Sequence, residues 1–190
     1  MSARPQNRQG LALVGTRGTG KSTVGRILAE RLVRPFLDAD VELEEKLGRS
    51  IAAIFAEDGE PVFRDWEEQV LSELITAHPG AILATGGGVV LRETNCQALR
   101  SFGHVVWLWT DPALAAARLQ ADRRGLESRP ALTAAGTIAE LAGILAARTP
   151  LYRAVADRVV DTGGRTAEEV AEQILELWDS WTSIDHCGRT

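Results

Sequence analysis

Gly15-Thr16-Arg17-Gly18-Thr19-Gly20-Lys21-Ser22-Thr23 follows the apolar run Leu11-Ala12-Leu13-Val14 and precedes Val24, Ile27, Leu28 and Leu32, which share one helical face. The stretch reads strand, glycine-rich turn, helix, and the turn matches G-x-x-x-x-G-K-[ST] in full. Glycines let the backbone wrap closely around phosphate oxygens, so that amide N–H groups and the helix N-terminus face the anion. Lys21 is placed to bridge the β- and γ-phosphates, and the Ser22 hydroxyl to ligate Mg²⁺. Gly15, Gly18, Thr19, Gly20, Lys21, Ser22 and Thr23 are therefore the nucleotide-binding candidates. A turn that only joins strand to helix is the plainer reading, and the satisfied strand–turn–helix context weighs against it.

Outward from this stretch, further apolar runs stop abruptly at polar residues or glycine: Pro35 to Leu37, Ala81 to Ala84, Val105 to Trp109, and Arg158 to Val160. Between them lie amphipathic stretches of helical length at Val41 to Leu47, Pro61 to Ala77, Pro112 to Ala121, Ile138 to Ala156 and Ala167 to Trp178. Short, buried-looking strands alternating with helices predict a parallel sheet covered on both faces, an α/β fold whose ligands sit at the carboxyl ends of the strands. Residues 122–136 are polar, rich in Arg, Gly and Ser, and without periodicity, which predicts a mobile loop. Residues 1–9 read as a flexible N-terminus, 10–179 as one domain and 180–190 as a frayed tail.

With 190 residues and 45% hydrophobic content the chain can bury one real core. A net charge of −5 argues against an extended nucleic-acid surface, so basic residues should matter locally, inside a site. Cys96 and Cys187 lack disulfide or metal spacing, and no run approaches membrane-spanning length; a cytoplasmic protein without membrane or nucleic-acid partners is the expectation.

Asp38 and Asp40 follow the second strand two residues apart, so continued strand geometry would project both toward the phosphate loop. Asp40 could equally cap a helix beginning near Val41. Arg64 and Glu67, three apart, share a helix face, where the carboxylate can fix a guanidinium suited to holding another carboxylate. By itself an i, i+3 pair is more often an ordinary surface ion pair. Thr85-Gly86-Gly87-Gly88 ends another strand, and three glycines leave no side chain between backbone and ligand, although a bare glycine triplet is usually a flexible turn. His78, His104 and His186 have no ligand spacing and are expected at the surface or at element ends; Trp107, Trp109 and Tyr152 are expected to pack.

In order and spacing this set resembles the shikimate kinases, within the nucleoside-monophosphate-kinase-like group of P-loop proteins. The resemblance is carried by G-T-R-G-T-G-K-S-T, D-A-D at Asp38 to Asp40, G-R-S-I at Gly48 to Ile51, and F-R-D-W-E at Phe63 to Glu67. It continues with A-T-G-G-G at Ala84 to Gly88, R-P-A-L at Arg129 to Leu132 and R-T-P-L-Y at Arg148 to Tyr152. It implies a three-layer P-loop NTPase fold, with a five-stranded parallel sheet flanked by helices and a mobile lid at about residues 122–136. The implied reaction is ATP-dependent phosphorylation of the shikimate 3-hydroxyl, on the route to chorismate and the aromatic amino acids, by a monomer using Mg²⁺. Carried over by position, Asp38 joins Ser22 in the magnesium shell and Asp40 accepts from ring hydroxyls. Arg64 and Arg148 hold the substrate carboxylate, and Gly86 to Gly88 close the site. Arg129 in the lid approaches the transferred phosphate, with Lys21 and Asp40 completing the catalytic set. Arg118 flanks the adenine, and Arg165 lies on that side of the nucleotide pocket. The sequence departs from the family at Ala131, where leucine is more usual, in the slightly longer loop at Gly125 to Ser128, and at the bulky Trp66.

Two rivals remain at this level. Another small-molecule kinase of the same fold, such as a gluconate kinase, would replace the two arginines with neutral-sugar recognition. A nucleotide or metabolite sensor without turnover would lose part of the set Lys21, Asp38, Asp40, Arg64, Arg129 and Arg148, all of which are present.

Overall fold

Gly10–Val14 forms β1 with every residue buried, as a strand covered on both faces requires. It is the central strand of the computed structural model, which describes residues 9–121 and 137–187. The other strands are β2 (Phe36–Asp38), β3 (Ile82–Ala84), β4 (Gly103–Trp109) and β5 (Arg158–Asp161). They form one five-stranded sheet in the order β2-β3-β1-β4-β5, and every pairing is parallel. The order reverses around β1, so the carboxyl ends of β1 and β3 open a crevice, the usual place for a ligand in such sheets.

The helices are α1 (Lys21–Leu32), α2 (Ala39–Leu47), α3 (Ile51–Glu57), α4 (Gly59–Ala77), α5 (Glu93–Phe102), α6 (Pro112–Ala121), α7 (Thr137–Val155) and α8 (Ala167–Cys187). Alternation along β1 divides the core. Leu11 and Leu13 pack with Val24 and Leu28 of α1 and with Val170 and Ile174 of α8, while Ala12 and Val14 face Leu43, Phe63, Leu71 and Tyr152 in the opposite cluster. Trp66 is partly buried against this second cluster, which leaves Arg64 and Glu67 on the adjoining face of α4.

The predicted strands and the six predicted helices are present, with three differences. The helices α3 and α5 were not expected. The first is seven residues long, too short to display helical periodicity, and is started by Ser50, whose hydroxyl accepts from the Ala53 amide at 3.1 Å. The second carries only Cys96, Leu99 and Phe102 as its buried apolar face, among otherwise polar residues. The third concerns the tail and a histidine: α8 continues beyond Trp178 to Cys187, so Ser180 to Cys187 are helical rather than frayed. Trp181 is the reason, because it packs on the core and stacks on the His104 ring at 4.1 Å, taking that histidine out of the surface role expected for it. Among the described residues no helix is long and apolar enough to cross a membrane.

Candidate active site

The phosphate loop begins where β1 ends and delivers the chain into α1. Gly18 and Gly20 stand at φ of 78° and 89°, a region other residues rarely enter. No side chain caps α1, so its first amide groups remain directed at the space the loop encloses, an arrangement suited to phosphate. Lys21 lies over the loop and donates to the carbonyls of Gly15 at 2.8 Å and Thr16 at 2.7 Å. Thr19 braces the turn internally, its hydroxyl donating to the Thr16 carbonyl at 2.9 Å.

Ser22, one residue on, donates its hydroxyl to Asp38 Oδ2. The two groups most suited to Mg²⁺, a hydroxyl and a carboxylate, are therefore already in contact. Among the described residues no group of three or more His, Cys, Asp or Glu side chains gathers as a metal cage.

The acidic pair is brought together by a different device from the one expected. Strand geometry does not persist to Asp40: β2 ends at Asp38, whose other oxygen caps α2 by accepting from the Asp40 amide at 3.2 Å. Asp38 rather than Asp40 is thus the cap. Both carboxylates nevertheless line a 230 Å³ cavity with Lys21 and Ser22, because the first turn of a helix swings the second aspartate back over the strand end.

A second cavity of about 290 Å³ adjoins the loop, lined in part by Thr16 and Arg17, and is the candidate acceptor cavity. Its lining includes the apolar side chains of Ile51 and Phe55 of α3 and Phe63 of α4 together with Arg64 and Arg148, and the Arg64 guanidinium lies over the Phe63 ring, 4.9 Å from its centroid. Arg64 is held by two carboxylates. It donates through Nη1 to Glu67 at 2.7 Å and through Nε and Nη2 to Glu60 at 3.1 and 2.8 Å. Glu67 is only 5% exposed. Burial pushes its carboxyl up, opposed by the charges of Arg64, Arg148 and Arg92. Its Oε1 is buried without a hydrogen-bond partner among the described residues, leaving an acceptor for a ligand hydroxyl.

Two of the three glycines, Gly86 and Gly88, stand where side chains approach closely. A Cβ on Gly88 would lie 2.2 Å from Arg64 Nη1, and one on Gly86 would lie 2.7 Å from Glu67 Oε1 and 2.9 Å from Asp40 Oδ1. Glu67 of the 290 Å³ cavity and Asp40 of the 230 Å³ cavity thus approach each other at Gly86, and Arg17 and Ile51 line both. The Gly87 carbonyl accepts from Arg148 Nη1 at 3.0 Å, which brings α7 to the 290 Å³ cavity.

On the far side of the loop a 410 Å³ cavity is lined by Gly18, Thr19, Ser22, Arg118 and Arg165, among others. Arg118 donates to the Thr162 hydroxyl and carbonyl at 2.9 and 2.6 Å and to the Gly18 carbonyl at 3.4 Å, so its flat guanidinium is fixed beside the loop. Arg165 is tied to the Asp161 and Glu169 carbonyls at 3.4 and 3.2 Å and to Gln173. Arg129 and the expected lid lie outside the described residues.

Sequence reasoning missed several contributors. Glu60 stands four before Arg64, and the helix-pairing rule that found Glu67 could have found it. Thr162 and the apolar side chains of Ile51 and Phe55 carry no such signal. Arg17, a variable position of the motif, lines both the acceptor and phosphate cavities, and burial lowers its pKa.

A family model described as shikimate kinase matches residues 17–179. A shikimate kinase of Pseudomonas fluorescens is 45% identical over 166 residues, 87% of this chain and 94% of the relative; one from Rhodopirellula baltica is 40% identical over 168 residues, 88% and 89% of the two chains. Among solved structures, the shikimate kinase from Acinetobacter baumannii in complex with shikimate superposes with a TM-score of 0.84 at 40% identity, covering 92% of this chain and 95% of that one. A gluconokinase from Sinorhizobium meliloti, at 16% identity and a TM-score of 0.65, shares the fold.

Proposed function

The chain belongs to the shikimate kinase family, and we infer that it transfers the γ-phosphoryl group of ATP to the 3-hydroxyl of shikimate, giving shikimate 3-phosphate and ADP. The observation that carries the acceptor's identity is the wall of the 290 Å³ cavity, where Arg64 and Arg148 stand together within reach of the phosphate loop. A small ring bearing one carboxylate and several hydroxyls matches two guanidinium groups, the apolar side chains that line the cavity with them, and the carboxylates of Asp40 and Glu67 that approach each other at Gly86.

Phosphoryl transfer of this kind depends on alignment and charge stabilisation more than on a strong base. In our reading Lys21 and the α1 amides hold the β- and γ-phosphates. Lys21 leaves its two loop carbonyls to do so, exchanging neutral acceptors for anionic ones. Ser22 and Asp38 are the residues that would hold Mg²⁺, which neutralises charge on the phosphates when bound. Asp40 accepts from the attacking hydroxyl and orients it. Arg64 and Arg148 fix the carboxylate at the opposite end, so that the ring has one productive pose. Arg118 flanks the adenine, with Arg165 on that side of the nucleotide pocket, and Arg129 would bring further positive charge to the transferred phosphate. We further propose a cytoplasmic monomer with residues 10–179 as its kinase domain.

The test is ADP release with MgATP in the presence of shikimate, quinate, gluconate or no acceptor, repeated with Arg64→Ala and Asp40→Ala. Strong stimulation by shikimate, lost in both variants, is expected. Folded, ATP-binding protein that shikimate fails to stimulate would sink the reading.

A further inference from the structure

Tyr152 has no part in the scheme above, yet its ring is wholly buried and its hydroxyl donates to the Gly87 carbonyl at 2.5 Å. That carbonyl is the one Arg148 also donates to, at 3.0 Å. Both side chains come from α7, one helical turn apart, and so reach it from one face. A carbonyl oxygen has two lone pairs, and here each has a donor. Gly87 itself lies against the phosphate loop: a Cβ on it would be 3.4 Å from the Gly15 carbonyl oxygen and 3.6 Å from Thr16 Cα. It also lines the acceptor cavity. One peptide unit thus touches the phosphate loop and the acceptor site, and Tyr152 secures it.

We propose that Tyr152 is a positioning residue for acceptor binding: its hydroxyl satisfies the Gly87 carbonyl so that Arg148 can turn its charge to the substrate carboxylate. This rests on the reading of Arg148 as a carboxylate-binding residue. With the hydroxyl removed, the buried carbonyl has Arg148 alone as donor, and the guanidinium is divided between that oxygen and the incoming anion. The carbonyl of this cavity-lining residue is then also less well compensated, which disfavours an anionic ligand over a neutral one. The phenol is well suited to the task. Its ring is stacked on Trp107 with centroids 5.4 Å apart, which fixes its direction. Burial pushes its pKa up to about 12, so it remains a proton donor throughout the neutral range.

The experiment compares steady-state kinetics of the full chain and of Tyr152→Phe, which keeps the ring stack, alone and with Arg148→Ala. The expected result is a rise in KM for shikimate of about fivefold, the loss of one neutral hydrogen bond, with KM for ATP unchanged. The rise should shrink to under about twofold when Arg148 is already alanine, because contacting residues on one acceptor are not additive. The methyl ester of shikimate, lacking the charge, should show no difference between wild type and Tyr152→Phe. A lowered Tm with both KM values unchanged, or an equal rise in both, would mean a purely structural tyrosine and overturn the proposal. A wild type that shikimate does not stimulate overturns the functional reading and this inference with it. A stimulated wild type matched by Tyr152→Phe overturns the inference alone. Should Tyr152→Phe fail to fold, the chain's single tyrosine allows uniform meta-fluorotyrosine labelling to report on this site only. Its fluorine resonance should move on saturation with shikimate, and an unmoved resonance overturns the proposal.

Discussion

Gly88→Ala separates binding from folding more sharply than any change to the arginine itself. The backbone at Gly88 has φ −97° and ψ 0°, which alanine adopts readily, so no backbone strain accompanies the methyl group. The added Cβ would lie 2.2, 2.4 and 2.5 Å from Nη1, Nη2 and Cζ of Arg64. Ordinary contact begins near about 3.5 Å, so the guanidinium must withdraw by about 1 Å or more. It is the far end of a flexible side chain and can do so. The cost to folding is the weakened pairing with buried Glu67, partly offset by the reduced freedom of the unfolded chain when glycine becomes alanine, and we expect a net loss of about 1–2 kcal/mol. The cost to the acceptor is larger. A charge-assisted bond from arginine to carboxylate contributes about 1.5–3 kcal/mol, and its loss corresponds to a rise in KM for shikimate of roughly 10- to 100-fold. KM for ATP should stay near wild type, because Gly87 rather than Gly88 abuts the phosphate loop. The assay is ADP release at saturating MgATP across shikimate concentrations, with thermal denaturation as the folding control. A folded Gly88→Ala whose KM for shikimate lies within about twofold of wild type would refute the placement of Arg64 at the acceptor carboxylate, since the arithmetic allows no such small effect.

Asp38→Asn keeps the cap on α2, because asparagine caps as well as aspartate, but removes the charge beside Ser22; stability should hold while the Mg²⁺ concentration needed for half-maximal rate rises about tenfold or more. Burial raises the Glu67 pKa above its ordinary 4.5, so this group contributes stability below that value that is lost as pH rises through its folded pKa. Denaturant unfolding of wild type and Glu67→Gln should therefore show the wild type losing ground relative to the variant as pH increases from about 4 toward neutrality; parallel curves would remove the burial argument. Tyr152 should ionise in the folded protein near about 12 instead of 10, and its contribution to stability is lost as pH rises through that interval, which ultraviolet titration of the chain's single tyrosine can follow. Trp181→Ala should lower stability by about 1–3 kcal/mol without altering either KM, since the ring packs on His104 far from the cavities.

How far the site was legible depends on the range of the interactions that build it. The phosphate loop was complete in the sequence because strand, glycines, lysine, hydroxyl and helix are contiguous, and their geometry is dictated by local sterics and hydrogen bonding. Arg64 and Glu67 were legible because a helix puts residues three apart on one face. Asp38 and Asp40 were correctly paired for the wrong local reason: a capped helix turn, rather than an extended strand, turns both toward the loop.

The sequence by itself determined the alternation of buried strands with amphipathic helices, and hence a parallel sheet with its ligands at the carboxyl ends, since periodicity and burial are properties of neighbouring residues. Only the tertiary structure decided which distant groups meet. Gly88 leaves room for the Arg64 guanidinium of another element, which occupies the space a side chain there would take. Arg148 and Tyr152 share an acceptor more than sixty residues away in the chain. His104 is enclosed because a tryptophan from the last helix covers it. Such contacts follow from how the layers pack, and no pattern along one segment encodes the shape of the surface that another segment will press against it.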